Sequence, residues 1–208
     1  MSDYGTLKRH LLCLLPEAGM VAGGVAMVAQ RDWFHLGTCV FTFTVSFAPL
    51  LFEQLFKVRL PSLFQFTYVI FVFASMFSGE VLRFYRLIPW WDAAMHFLSG
   101  ILVGLGVVLW LRALARTPKT FRMNLKLQTL FIALFGMGVA TLWEIVEFGF
   151  DQLFGTTSQD QSLYDTMTDL VYGTSGIVLL SGLYAFSQKL GRLPGLSQII
   201  ESFEKLNR

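Results

Sequence analysis

The chain has 208 residues, 54% of them hydrophobic and only 14% charged, with a formal net charge of +2. Soluble domains carry roughly a quarter charged residues. This composition, with a mean hydropathy of +0.58, therefore excludes an ordinary soluble enzyme and predicts an all-α polytopic membrane helix bundle. The charge excess is too small to give nucleic acid an electrostatic footprint, so no nucleic-acid partner is expected.

A membrane-crossing helix needs about 20 mostly apolar residues. Six stretches qualify, at about 11–30, 33–52, 62–80, 91–112, 127–149 and 167–187. The first begins after Lys8 and Arg9, as a secretory leader would, but Pro16 and Glu17 interrupt its apolar run and no small-residue cleavage site follows. A retained span is expected rather than a cleaved leader. Pro61 opens the third span, where a proline suits the first helical turn.

Cys13 and Cys39 lie inside apolar stretches without CxxC spacing, which predicts packing residues rather than ligands or a disulfide. Gly19 and Gly23 in the first span, and Gly100 and Gly104 in the fourth, have GxxxG spacing; Gly136, Gly138, Gly173 and Gly176 thin the fifth and sixth. Such glycines let helices approach closely, here within one bundle, with a homodimer through the glycine faces as the alternative.

Orientation follows from the basic residues. If both termini are cytoplasmic, thirteen of the sixteen Lys and Arg fall on the inside, and only Arg31, Arg83 and Arg86 lie outside. That bias is the positive-inside signature and is consistent with an even number of spans in a bacterial inner membrane. The basic joint from Arg112 to Lys126, with Arg116, Lys119 and Arg122, reads as a solvated loop touching anionic lipid head groups. After Pro194, Leu196, Ile199, Ile200, Phe203 and Leu206 recur at helical spacing and predict a short amphipathic helix on the cytoplasmic membrane surface. The expected organisation is a six-helix transmembrane domain over 1–193 and an amphipathic cytoplasmic tail over 194–208.

The acids crowd one level of this map. Glu80 closes the third span, Asp92 and His96 open the fourth, and Glu144 and Glu147 lie in the far part of the fifth, with Asp151 a turn later. Asp165 and Asp169 open the sixth. Asp92/His96 and Asp165/Asp169 are four residues apart, and Glu144/Glu147 three, so each pair shares one helix face. Carboxylates in an apolar layer are expensive unless partnered, and Arg83 and Arg86 are too few to balance these. A divalent metal (zinc, manganese or iron) would balance them, with His96, Asp92, Glu144, Glu147, Asp165 and Asp169 as candidate ligands. Helix capping by Asp92 and Asp165, a hydrogen-bonded polar plug, and a proton path are the competing readings. Capping cannot apply to Glu144, which is mid-span.

The blocks IPWWDAAMHFLSG, LWEIVEFGFDQLFG, the Gln159/Gln161 region and DTMTDLVYGTSG resemble the motif set of bacterial YjdF-like membrane proteins. They are more distantly similar to VanZ-like proteins, which also pair an Asp-x-x-x-His block with an internal Glu and a later acid beside a glycine-rich helix. The resemblance covers about residues 60–187. It implies that Asp92, His96, Gly100, Glu144, Glu147, Asp151, Asp165, Asp169 and Gly176 occupy motif positions.

Three functions remain in play. One is an outward-facing intramembrane metal enzyme, with Glu147 and Glu144 catalytic and a lipid or polyprenyl-phosphate substrate steadied by Arg83 and Arg86. The second is a cation- or proton-coupled transporter or channel subunit using the same acids. The third is a noncatalytic binding or assembly protein.

Overall fold

The computed structural model describes residues 3–115, 123–156, 159, 162–191 and 193–208, and side chains from residue 13 onward. The basic joint residues Arg116, Lys119 and Arg122, and also Gln161 and Arg192, lie outside the described residues, as do the side chains of Lys8 and Arg9. Among the described residues there are helices and no strands, and six helical stretches are long and apolar enough to cross a membrane. The protein is an all-α membrane bundle. Its contacts group into two compact units, Met1–Asp92 with Gln198–Arg208, and Ala93–Ser197.

In the first unit, α1 (Asp3–Gln30) runs through Pro16 without a break. The expected single helix over 33–52 is instead two, α2 (Trp33–Val45) and α3 (Ala48–Phe56), which together make one apolar span, Trp33–Phe56. The reason is Pro49, near the start of α3. A proline has no N–H to return to the carbonyl four residues earlier, and its ring crowds that carbonyl. The carbonyl is that of Val45, and the Tyr68 hydroxyl donates to it at 3.0 Å. A backbone acceptor released inside an apolar layer is thus satisfied by a neighbouring helix.

Asp32 caps α2. Its carboxylate accepts from the His35 backbone N–H at 3.1 Å and lies 2.6 Å from His35 Nδ1. The backbone and ring of His35 hold the Asp32 carboxyl below its ordinary range. The turn after α3 is closed by Glu53, whose Oε1 accepts from the Leu60 N–H at 2.7 Å and the Gln65 amide at 2.9 Å.

The third span, Ser62–Val81, starts as α4 (Ser62–Val72) and widens into a π-helix, π1 (Phe73–Val81). Two π1 rings meet the glycines of α1: Phe73 stands over Gly19 and Phe77 over Gly23, where an added Cβ would lie 2.3 Å from a Phe77 ring carbon. The short α5 (Phe84–Leu87) follows Arg83, which takes the left-handed conformation at φ 62°.

The C-terminal α9 (Pro194–Leu206) is amphipathic as expected, but its deepest apolar positions do not face lipid: Ile200 and Phe203 are buried by the chain itself. Asn207 fastens it, accepting from the Arg59 N–H and donating to the carbonyls of Arg59 and Phe203, each at 2.7 Å.

The second unit is built on α6 (Trp91–Leu114) from Ala93 onward, α7 (Leu125–Phe154) and α8 (Leu163–Lys189). α7 reaches Phe154, beyond the expected 149, so Asp151 is helical and Glu144 sits about 15 Å of helix from that end. Asn124 caps α7 by accepting from the Leu127 N–H, and Gly155 at φ 67° ends it. Gly136 of α7 abuts Ile177 of α8 and Gly104 of α6 abuts Leu180 of α8. Gly100 meets Gly173 and Gly104 meets Leu180, so α6 and α8 run parallel; Ala140 meets Gly173 and Gly136 meets Ile177, so α7 is antiparallel to α8. The GxxxG glycines of α1 and α6 all meet residues of their own chain, so the close approach they permit is used within the molecule.

Candidate functional site

Three helices come together at a node of small residues. An added Cβ on Gly100 would lie 2.1 Å from the Gly173 carbonyl oxygen, and one on Gly176 would lie 2.1 Å from the Phe97 carbonyl oxygen. α6 and α8 are thus in backbone contact. From Gly173, an added Cβ would be 3.6 Å from the Ala140 Cβ of α7 and 3.7 Å from the His96 carbonyl.

The polar residues lie one turn further along each helix. His96 precedes Gly100 by four residues on α6, and Asp169 precedes Gly173 by four on α8. Glu144 follows Ala140 by four on the antiparallel α7. A four-residue step keeps a side chain on the same face. The packing that brings the small residues together therefore brings the imidazole and two carboxylates together one layer away.

The imidazole lies between two acids. His96 Nδ1 is 3.8 Å from Glu144 Oε1, and His96 Nε2 is 3.7 Å from Asp169 Oδ2. Glu144 and Asp169 are each only 4% exposed. Glu147 joins from α7, and donor atoms of His96, Glu144 and Glu147 all lie within 4.8 Å of one another. Glu147 is half-buried and also accepts from the Trp143 indole N–H at 2.8 Å, on the exposed side of α7.

Other acids take different places. Asp92 stands in the first turn of α6, one turn before His96 on the same helix, and is the last residue of the first unit's main segment, Met1–Asp92. Asp165 is in the first turn of α8, but the cap there is Ser162, whose hydroxyl accepts from the Asp165 N–H. Asp165 is not one of the donors that gather around His96. Asp151 turns to the α7–α8 joint, where it accepts from the Thr156 hydroxyl at 2.5 Å and the Gln159 N–H at 3.0 Å. Glu80 on π1, and Arg83 and Arg86 beside and in α5, belong to the first unit.

One contributor carries no charge, and the sequence named it only within the Gln159/Gln161 block of the resemblance, with no role at the site. Gln159 is buried, and its side-chain N–H groups donate to Glu144 Oε2 at 3.2 Å and to the Glu144 carbonyl at 3.1 Å. Beyond that block, its sequence signal is an amide in a short polar joint between two acid-bearing helices.

Separations of 3.7 and 3.8 Å exceed the 2.7–3.2 Å of a direct hydrogen bond. Two ligand atoms about 2.1 Å from one tetrahedral metal stand roughly 3.4 Å apart, so a small closure would fit an ion between them. One imidazole with several carboxylates is a donor set for zinc, manganese or iron. The described basic side chains of this unit, Arg112, Lys126 and Lys189, sit at the opposite ends of the three helices. They lie about 24, 27 and 30 Å of helix away from His96, Glu144 and Asp169 respectively. Arg112 is engaged there, donating to Gln188 at 2.9 Å and Tyr184 at 3.3 Å.

A family profile described as "Predicted membrane protein (DUF2238)" matches residues 9–189, which include all of these residues. The chain belongs to that family. In this DUF2238 chain His96, Glu144, Glu147 and Asp169 lie on α6–α8. An uncharacterised protein of Thermotoga maritima is 25% identical over 146 residues, covering 70% of this chain and 73% of its own length. No solved structure matches.

Proposed function

We propose that this protein holds a divalent metal ion between α6 and α7, with α8 bracing the imidazole from behind, and that the metal site serves an enzyme acting on an amphiphilic, phosphate-bearing substrate such as a lipid or polyprenyl phosphate. The observation that carries this reading is an imidazole facing a buried carboxylate from each ring nitrogen. His96 and Glu144 are the first ligands, with Glu147 beside them. Asp169, on the other ring nitrogen, holds the imidazole's orientation and tautomer, as carboxylates behind metal-bound histidines commonly do. Asp92 is a further oxygen donor on the His96 helix, and Asp165 is an outer acid of α8.

A bound metal would supply Lewis acidity, making a coordinated water more acidic and polarising a phosphoryl oxygen. The chain supplies the rest. Glu147, half-buried and touching the exposed Trp143, is placed to take a proton as general base. Glu144 and Asp169 keep their positions in a layer that excludes water. The substrate is amphiphilic because the flank beside Glu147 is apolar and exposed, including Leu142, Ile145 and Val146. In this reading the chain is YjdF-like and distantly VanZ-like. It lies in a bacterial inner membrane with both termini cytoplasmic and the site near the outer face.

The same imidazole between two carboxylates would suit a proton or cation relay, so a transporter or channel subunit is the second reading. Elemental analysis of detergent-purified protein separates them. The metal reading expects about one zinc, manganese or iron per chain that survives dialysis. Metal-free protein that carries protons or cations into sealed vesicles would replace it with the second reading. Metal-free, flux-inactive protein would leave a noncatalytic structural plug.

A further inference from the structure

The α7–α8 joint reaches the site through Gln159. One nitrogen, Gln159 Nε2, spans two acceptors of the same residue, the Glu144 carbonyl at 3.1 Å and Glu144 Oε2 at 3.2 Å. The Gln159 backbone is itself held, because its N–H donates to Asp151 Oδ2 at 3.0 Å while Asp151 Oδ1 accepts from Thr156. The chain of contacts therefore runs Thr156, Asp151, Gln159, Glu144. The Gln159 side chain is buried beside a buried carboxylate.

We propose that Gln159 is a positioning residue that makes Glu144 a one-oxygen ligand, an inference that rests on the metal reading above. The last torsion of a glutamate is broad and nearly two-fold, so an unrestrained Glu144 could turn either oxygen, or both, toward an ion. The Gln159 amide donates to Oε2 and so restrains that torsion. Oε1 is the oxygen that faces His96, at 3.8 Å from Nδ1. A metal on that side receives one Glu144 oxygen, and its remaining positions stay open for Glu147, water or substrate. The arrangement also gives Asp151 a role: it braces the joint instead of binding the ion.

The test uses the full-length protein in detergent, loaded with zinc, and compares Gln159→Met with wild type. Methionine keeps the length and removes the donor, while the backbone bond from residue 159 to Asp151 remains. Outer-shell partners of metal ligands typically contribute 10–100-fold in affinity. Zinc affinity is expected to fall about 10–100-fold. The zinc-induced infrared difference spectrum is expected to change as well: the gap between antisymmetric and symmetric carboxylate stretches should narrow as Glu144 turns two-oxygen. Gln159→Asn, which retains a shorter donor, is expected to fall between the two and serves if the Met variant does not fold. Unchanged affinity and spectrum overturn the inference. An affinity loss with an unchanged spectrum, matched by an equal loss of metal-free thermal stability, also overturns it, since that is a purely structural effect. Wild type that binds no zinc, manganese or iron overturns both this inference and the metal reading, whereas tight wild-type binding with an unaffected variant overturns only this one.

Discussion

Gly100→Ala and Gly176→Ala are each expected to remove the folded second unit. An alanine Cβ would come 2.1 Å from a backbone oxygen in both cases, from Gly173 for the first and from Phe97 for the second. A side chain in the way can rotate, but a helix carbonyl cannot, so α6 and α8 would have to move apart. Forcing one methyl group into an interior usually costs about 1–3 kcal/mol. Here the clash is with main chain over a shared helix face, and a loss of at least about 3 kcal/mol is expected. Thermal unfolding in detergent checks this. Gly138→Ala is the control, because nothing lies within 4 Å of the position an added Cβ would take. The control is expected to be neutral or more stable by up to about 1 kcal/mol, the usual gain for alanine over glycine within a helix.

These glycines also mark how far the sequence could be read. Hydropathy gave all six spans, because twenty apolar residues in a row have few other uses. It misplaced some ends. Asp151 and Gln152 are polar enough to suggest that the fifth span had stopped, yet α7 continues to Phe154. Periodicity does not register a single proline, so the break between α2 and α3 at Pro49 was not foreseen, nor was the use of Tyr68 to satisfy Val45. The π1 segment leaves no period distinct enough to recognise in nine residues.

For the site, the i,i+3 and i,i+4 spacings placed each acid pair on its own helix face. They could not say which faces meet. Gly100, Gly173 and Gly176 decide that; in the sequence they read as close packing, with Gly100 and Gly176 also motif positions of the resemblance, and neither reading says which helices they join. Gln159 was named in a motif block, but its role was not legible because an amide in a joint has no charge to place. Asp165 looked like a cap or a ligand, and the structure gives the cap to Ser162 one turn earlier.

His96→Ala and Glu144→Gln are expected to lower metal affinity by more than about 100-fold, beyond the range typical of an outer-shell partner. The imidazole is the one nitrogen donor in the group, and Glu144 Oε1 is the oxygen that faces it. A graded series should follow from position. Asp169→Asn, behind the ring, is expected to cost about 10–100-fold, and Asp165→Asn, in the first turn of α8, less than tenfold. Isothermal titration with zinc or manganese measures all four. The same binding should appear as thermal stabilisation that grows with the logarithm of metal concentration. A chelator should remove it from wild type and leave His96→Ala unmoved. If the acids formed only a polar plug, Glu144→Gln would melt like wild type in either condition.

Pulsed electron paramagnetic resonance on the manganese(II)-loaded protein reads the ligand set directly. A metal held by His96 and the acids of α7 predicts one directly coordinated imidazole nitrogen in wild type and none in His96→Ala, although His10 and His35 remain in that variant. Absence of a nitrogen coupling from metal-loaded wild type, or its persistence after His96 is removed, would contradict the account.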